Sequence, residues 1–216
     1  MGKCGRRDLW SQCDIPERVT MTITINGATK TESNEPHVAN STQGQLTAFQ
    51  YIFIPANAAA GAIHAAITLP AAGTTTVTTA ITNPDFPRVL AITGGALLMA
   101  GNVVITGTDI SGASITDTIA LNGTTQVAGA KAFATVTSIV VPTRTNVGDT
   151  VTIDTLNKFG MPHIIYIDPY VRMHLFNGSN DAGTTTVNAN VLSGNFYNLA
   201  GTPDGVKSVV LGYWTA

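Results

Sequence analysis

The chain is short of charge. Only 11% of its 216 residues are Asp, Glu, Lys or Arg, less than half of the roughly 25% usual in soluble domains. Eleven basic and thirteen acidic residues give a formal net charge of −2. No basic face of the kind that tracks a phosphate backbone is expected, so nucleic acid is not an expected partner. The one basic cluster, Lys3 with Arg6 and Arg7, is too small to alter this. Aromatic residues are scarce, at 6%, which leaves few platforms for stacking on sugars. No apolar run approaches the roughly 18 residues of a membrane-spanning helix. The first residues lead into polar sequence and not into the apolar stretch of a secretory signal. The expectation is a protein made in a cytoplasm, with no membrane partner, that stays soluble until it assembles. Met1-Gly2 opens like a myristoylation site, but the Ser or Thr wanted at position 6 is Arg6. Cys4 and Cys13 are the only cysteines. Their spacing fits neither a redox pair nor a zinc site lacking further ligands. They read as free thiols, with a disulfide within or between chains as the alternative.

What the chain does have is 44% hydrophobic residues, enough for a real core. With so little charge, its surface must consist mostly of Thr, Ser, Asn, Gln and Gly. Surfaces of that kind suit secreted, extracellular or particle-forming proteins, whose neighbours hide part of them.

Residues 1–20 read as an arm, with Leu9 and Trp10 as its sizeable apolar anchors and Pro16 interrupting any early helix. So polar a segment cannot bury itself unaided; it is either disordered or laid against another subunit. Val19 to Ile25 alternates strictly and runs into Asn26-Gly27, a strong hairpin signal. Residues 30–47, which include His37, are polar and predict an extended loop whose job is to contact a neighbour. Residues 1–48 thus form an N-terminal arm and loop for attachment, with interface residues Arg6, Arg7, Leu9, Trp10 and His37. Residues 49–216 form a β-sandwich domain.

Within that domain, β-branched runs bounded by Gly, Asn, Asp and Pro predict strands. They lie at 49–55, 63–69, 74–80, 103–106, 115–119, 134–141 and 150–153. Asn83 to Arg88 and Asn157 to Pro162 read as the punctuation around the central part. Further strands are expected at 163–167, well buried, and at 171–176, 184–191 and 208–214. Residues 56–66 are alanine-rich, which favours helix by propensity, yet Gly61 and the run Ala65 to Pro70 favour a loop followed by a strand near 63–69. No helix longer than a turn or two is expected. The fold class is all-β, an Ig-like or jelly-roll-type sandwich with an extended N-terminal arm.

No constellation of catalytic residues emerges, and the reading is that the protein is not an enzyme. His37, His64, His163 and His174 are widely separated and read as packing or loop residues. Asp109 and Asp117 flank a turn, but a glycosidase-type pair is the weaker reading. Asp109 suits a residue capping its own turn, and Asp117 a solvent-face strand position. Asp149, Asp154, Asp168 and Asp204 sit at or beside apparent turns. Asn177 to Asp181 has the wrong spacing for a calcium loop. No metal and no cofactor is expected. The sequons at Asn40, Asn122 and Asn177 would matter only in a eukaryotic secretory route.

The ordered set Thr82–Arg88, Val103–Gly112, Ile115–Leu121, Gly129–Ile139, Asn157–Pro162 and Thr202–Gly205 resembles a family of tailed-bacteriophage virion proteins. The resemblance covers about residues 75–162 and the C-terminal hairpin, and does not extend to 1–48. It implies a β-sandwich on a virion surface rather than an activity. The expected role is a capsid decoration, or cement, protein. It would bind the major capsid protein as a symmetric homo-oligomer such as a trimer, on the capsid surface. The competing expectation is a receptor- or glycan-binding module of a head fibre, tail or tail fibre.

Overall fold

The computed structural model describes residues 22–25, 28–32 and 47–215, and these are all-β. In chain order the strands are β1 (Thr22–Ile25), β2 (Ala28–Glu32), β3 (Thr47–Phe53), β4 (His64–Thr68), β5 (Thr75–Val77), β6 (Arg88–Gly94), β7 (Asn102–Thr108) and β8 (Ser114–Ala120). They continue with β9 (Val127–Phe133), β10 (Thr135–Val141), β11 (Thr150–Gly160), β12 (Val171–Phe176), β13 (Ser179–Asn180), β14 (Thr184–Thr186), β15 (Phe196–Asn198) and β16 (Val209–Thr215). The helical content of the described residues is two single turns, Asp168–Tyr170 and Leu192–Gly194.

Three antiparallel sheets result. The first runs β1-β2-β3-β16-β12-β13, the second β5-β10-β7-β8, and the third β14-β15-β11-β6-β9 with β4 also on β11. The 11-residue β11 is the spine. Along one side it pairs with β6; along the other, β4 takes its first half and β15 its last three residues. Its two halves feed different cores. Val151 and Ile153 join Leu90, Ile92, Val103, Ile105 and Ile139 between the second and third sheets. Phe159 joins Phe53, Tyr197, Leu211 and Tyr213 under the first sheet. The cause is local: a period of two puts alternate side chains on one face. Each fully buried Val, Ile or Phe is worth about 1.5–3 kcal/mol, which makes register costly to change.

The hairpin signals hold. β1 and β2 pair antiparallel, Ile25 opposite Ala28, as the hairpin expectation requires. Asn177 and Gly178 both have positive φ, +50° and +77°, between β12 and β13, as a turn matching strand twist requires. Other expectations need correcting. Residues 163–167 are not a strand: Ile165 is buried, but Tyr166 and Ile167 are exposed. The Asn195 carboxamide oxygen receives the Ile165 N–H at 3.1 Å in place of a ladder partner. Asn157–Gly160 is not punctuation but the last turnless stretch of β11, carried on by pairing with β15. Lys30–Glu32, expected as the start of a loop, belong to β2, and the rest of that stretch to residue 46 lies outside the described residues. The strands expected at 74–80 and 184–191 shrink to Thr75–Val77 and Thr184–Thr186.

β6, β9, β13 and β15 escaped the sequence reading. β6 is buried at six of its seven positions and lies between β11 and β9. A short run that is apolar on both faces has no alternation to betray it. β9, Val-Ala-Gly-Ala-Lys-Ala-Phe, is poor in β-formers and is held by its neighbours more than by propensity.

Candidate functional site

The buried polar groups come first, because chemistry would need them. Asp109 accepts the Ser111 N–H at 2.9 Å, the Ser111 hydroxyl at 2.6 Å and the Ala113 N–H at 3.1 Å, the turn-capping role expected of it. Asp149 likewise receives the N–H groups of Thr145 and Asn146 at 2.9 and 2.7 Å. Asp117 does not face solvent as expected; it points inward beside Ile115 and Ile119. Its Oδ2 takes the Ala130 and Lys131 N–H groups at 2.7 and 3.2 Å, while Lys131 Nζ donates to the Thr116 carbonyl at 2.6 Å. β8 and β9 belong to different sheets, and this side-chain clasp joins their edges where no ladder does.

Asp154 is not at a turn either. It stands in the middle of β11, 1% exposed. Thr93 Oγ1, Gln126 Nε2 and the Gly61 N–H donate to it at 2.6, 2.8 and 2.7 Å. The adjoining Thr155 hydroxyl receives the Ala59 N–H and Asn157 Oδ1 the Ala58 N–H, at 3.0 and 2.9 Å. Polar side chains of β11 thus lay the alanine-rich 56–61 segment against the sheet, which is why it is a loop and not a helix. Asp181 collects Tyr197 Oη at 2.5 Å and the N–H groups of Gly183, Ala200 and Gly201 at 3.0 Å each. Burial pushes its carboxyl up, but these four donors outweigh burial and hold it below the usual range. Each of these carboxylates is hydrogen-bonded by groups of its own chain; Asp109 and Asp149 cap their own turns, while Asp117, Asp154 and Asp181 tie one segment to another.

The histidines in the described residues behave as packing groups. His163 stacks on Phe49 at 4.2 Å between centroids and shares a 2.7 Å hydrogen bond between Nδ1 and Tyr213 Oη. Burial lowers its pKa. His174 lies against the Tyr197 ring at 4.9 Å. Arg88, 1% exposed, pairs with Asp85, donates to the Ala56 carbonyl at 3.2 Å and covers the Phe159 ring. Among the described residues, no group of three or more His, Cys, Asp or Glu gathers as a metal site would require.

The distinctive surface is one end of the sandwich. Leu97 and Leu98 in the β6–β7 loop are 81% and 75% exposed, and Val147 in the β10–β11 loop is 84% exposed. Scattered exposed aliphatics need no explanation; three on pinned neighbouring loops do. The loops are fastened at their bases. Gly95 N–H donates to Thr150 O at 2.8 Å, Gly123 N–H to Met99 O at 2.9 Å and Leu121 N–H to Gly101 O at 2.8 Å. Arg144 N–H reaches Pro70 O at 2.9 Å, and Thr143 Oγ1 reaches Gly73 O at 2.5 Å. Met99, between the same glycines, is buried beneath. The result is a firm, exposed apolar tip on two tethered loops.

Arg6, Arg7, Leu9, Trp10 and His37, expected to form an interface, lie outside the described residues, as do Cys4 and Cys13. The tip was missed by sequence reasoning. Its signal is there, though: large aliphatics inside glycine-bounded turn segments, Gly95 to Gly101 and Asn146 to Asp149, where polar residues are the rule. Comparison with protein-family models, curated proteins and solved structures finds no match for the chain.

Proposed function

We propose that this chain is a structural component of a bacteriophage virion, a decoration protein that seats on the lattice of the major capsid protein and stabilises it. The observation that carries the reading is the pinned loop tip with Leu97, Leu98 and Val147. An apolar projection on short, tethered loops loses little conformational freedom when covered, so it suits docking into a shallow groove of a repeating partner. Burying the three side chains would contribute about 1.5–3 kcal/mol each at most, a modest affinity for one copy. Many copies on one lattice compensate for that. The neutral surface and the side-chain clasps between sheets fit a part that must persist outside a cell. The experiment is cryo-EM of intact particles, together with rebinding of purified protein to stripped capsids. Density over the capsid shell, and rebinding weakened at least tenfold by Leu97→Ser with Leu98→Ser, support the proposal. Density confined to a tail or fibre, or full rebinding by the double variant, overturns it.

A further inference from the structure

We infer that Asn177 is a site of spontaneous modification, converting through a cyclic imide with Gly178 to aspartate and isoaspartate. The sequence holds three Asn-Gly pairs, 26–27, 122–123 and 177–178, and one Asp-Gly pair, 204–205. In such a pair the side-chain carbonyl carbon lies within reach of the next residue's backbone nitrogen, and a glycine has no Cβ to block the approach. Local sequence treats these pairs nearly alike. The fold separates the three that fall among the described residues.

At Asn122 the attacking nitrogen is committed. Gly123 donates its N–H to the Met99 carbonyl at 2.9 Å, and the Thr125 N–H binds the Asn122 carbonyl at 3.0 Å. Gly123 is buried, and a Cβ on it would lie 2.3 Å from the Leu97 carbonyl oxygen, so the peptide has no room to turn. Asp204 is held in the same way. The Gly205 N–H donates to the Pro55 carbonyl at 3.0 Å, and the Asp204 carboxylate receives the N–H groups of Val206 and Lys207 at 3.0 and 2.9 Å. Asn177 differs on each count. It and Gly178 are exposed between β12 and β13. The Gly178 N–H has no acceptor among the described residues, and a Cβ on Gly178 would meet nothing within 4 Å. The Asn177 N–H, bound to the Ser208 carbonyl at 2.8 Å, anchors the turn from one side and leaves the Gly178 peptide open to water.

The chemistry needs only water. The Gly178 nitrogen attacks Cγ of Asn177 and closes a five-membered imide. The bond from Cγ to Nδ2 breaks, and the nitrogen leaves as ammonia with the proton that the glycine gave up. Water then opens the ring at either carbonyl. One opening gives aspartate, which tolerates positive φ and adds a negative charge to the turn. The other gives isoaspartate, whose main chain is longer by one atom. A two-residue connection between the paired Phe176 and Ser179 cannot absorb that atom and keep its register. β13 has two residues, both paired with β12, so the isoaspartate form should lose this strand. The reaction does not depend on capsid binding.

The test is incubation of the full chain at about pH 8 and 37 °C, folded in buffer and unfolded in guanidinium. Mass spectrometry follows each Asn-Gly peptide for the gain of about one dalton that replaces the amide. Asn177 converting at least tenfold faster than Asn122 in the folded chain, with the ratio below threefold in guanidinium, supports the inference. A folded ratio below tenfold overturns it. A ratio that stays above threefold in guanidinium also overturns it, because local sequence and not the fold would then set the rates. Asn177→Gln lengthens the side chain and disfavours the ring; an unchanged gain in that peptide places the reaction at another residue and overturns the assignment.

Discussion

Removing the Asp154 carboxylate should loosen the middle of the molecule without touching its apolar cores. Three donors converge on it: Thr93 of β6, Gln126 before β9, and the Gly61 backbone. Hydrogen bonds to a charged group contribute about 1.5–3 kcal/mol each, so the gross sum is about 4.5–9 kcal/mol. Thr93 is half-buried and Gln126 exposed, and both regain water when the acceptor goes. The expected net cost of Asp154→Ala is therefore about 3 kcal/mol. At roughly 2–4 °C per kcal/mol for a chain of this size, the midpoint of thermal unfolding falls by about 6–12 °C. Asp154→Asn keeps an oxygen for Gly61 and a rotatable partner for Thr93, and should cost about 1–1.5 kcal/mol. Burial pushes the Asp154 carboxyl up, but Thr93, the Gly61 N–H, Gln126 and Thr152 outweigh burial and hold it below the usual range. The unfolded chain, with its carboxyl near 3.9, then takes the proton first. The contribution is complete above about pH 4 and is lost as pH falls through the folded value. The gap between wild type and Asp154→Asn should narrow over that range in urea titrations. An alanine variant within 0.5 kcal/mol of wild type, or a gap independent of pH, would refute the reasoning.

Three further outcomes are expected. Gly107→Ala places a methyl on top of the Thr135 carbonyl in the neighbouring strand; it should cost more than about 3 kcal/mol, read as loss of soluble protein or of the cooperative melt. Tyr197→Phe removes the shortest of the four bonds to Asp181 and leaves the three backbone donors, for a cost of about 1–2 kcal/mol in chemical denaturation. His163 has its pKa lowered by burial, so below about pH 6.5 the unfolded chain binds a proton that the folded chain resists. Wild type should lose stability between pH 7.5 and 5.5, and His163→Phe should lose less; equal losses would show that another group titrates.

Where alternation was clean, the fold was legible in the chain. β7, β8 and β10 follow from runs rich in β-branched residues, β12 and β16 from short apolar runs, and their connections from Asn, Asp, Gly and Pro. Legibility failed where a strand is buried on both faces, as in β6, or consists of small residues, as in β9. It failed again at His163 to Ile167, which has strand composition but whose Ile165 N–H goes to the Asn195 side chain instead of a neighbouring strand. The carboxylates divide the same way. Asp109 and Asp149 bind N–H groups two to four residues away, so local sequence suffices. Asp117 and Asp154 bind groups 13 to 93 residues away, and Asp181 adds to the nearby Gly183 N–H three partners 16 to 20 residues away; no local pattern announces such partners.

By itself, then, the sequence determined the class: a β-protein with little charge and short turns, because period and turn chemistry are properties of neighbouring residues. Tertiary structure alone decided that β11 serves two cores, that buried carboxylates fasten loops, and that Leu97, Leu98 and Val147 share one end. Those facts depend on which strands lie side by side. That is settled by the burial of whole faces, a sum over the chain that no single segment contains.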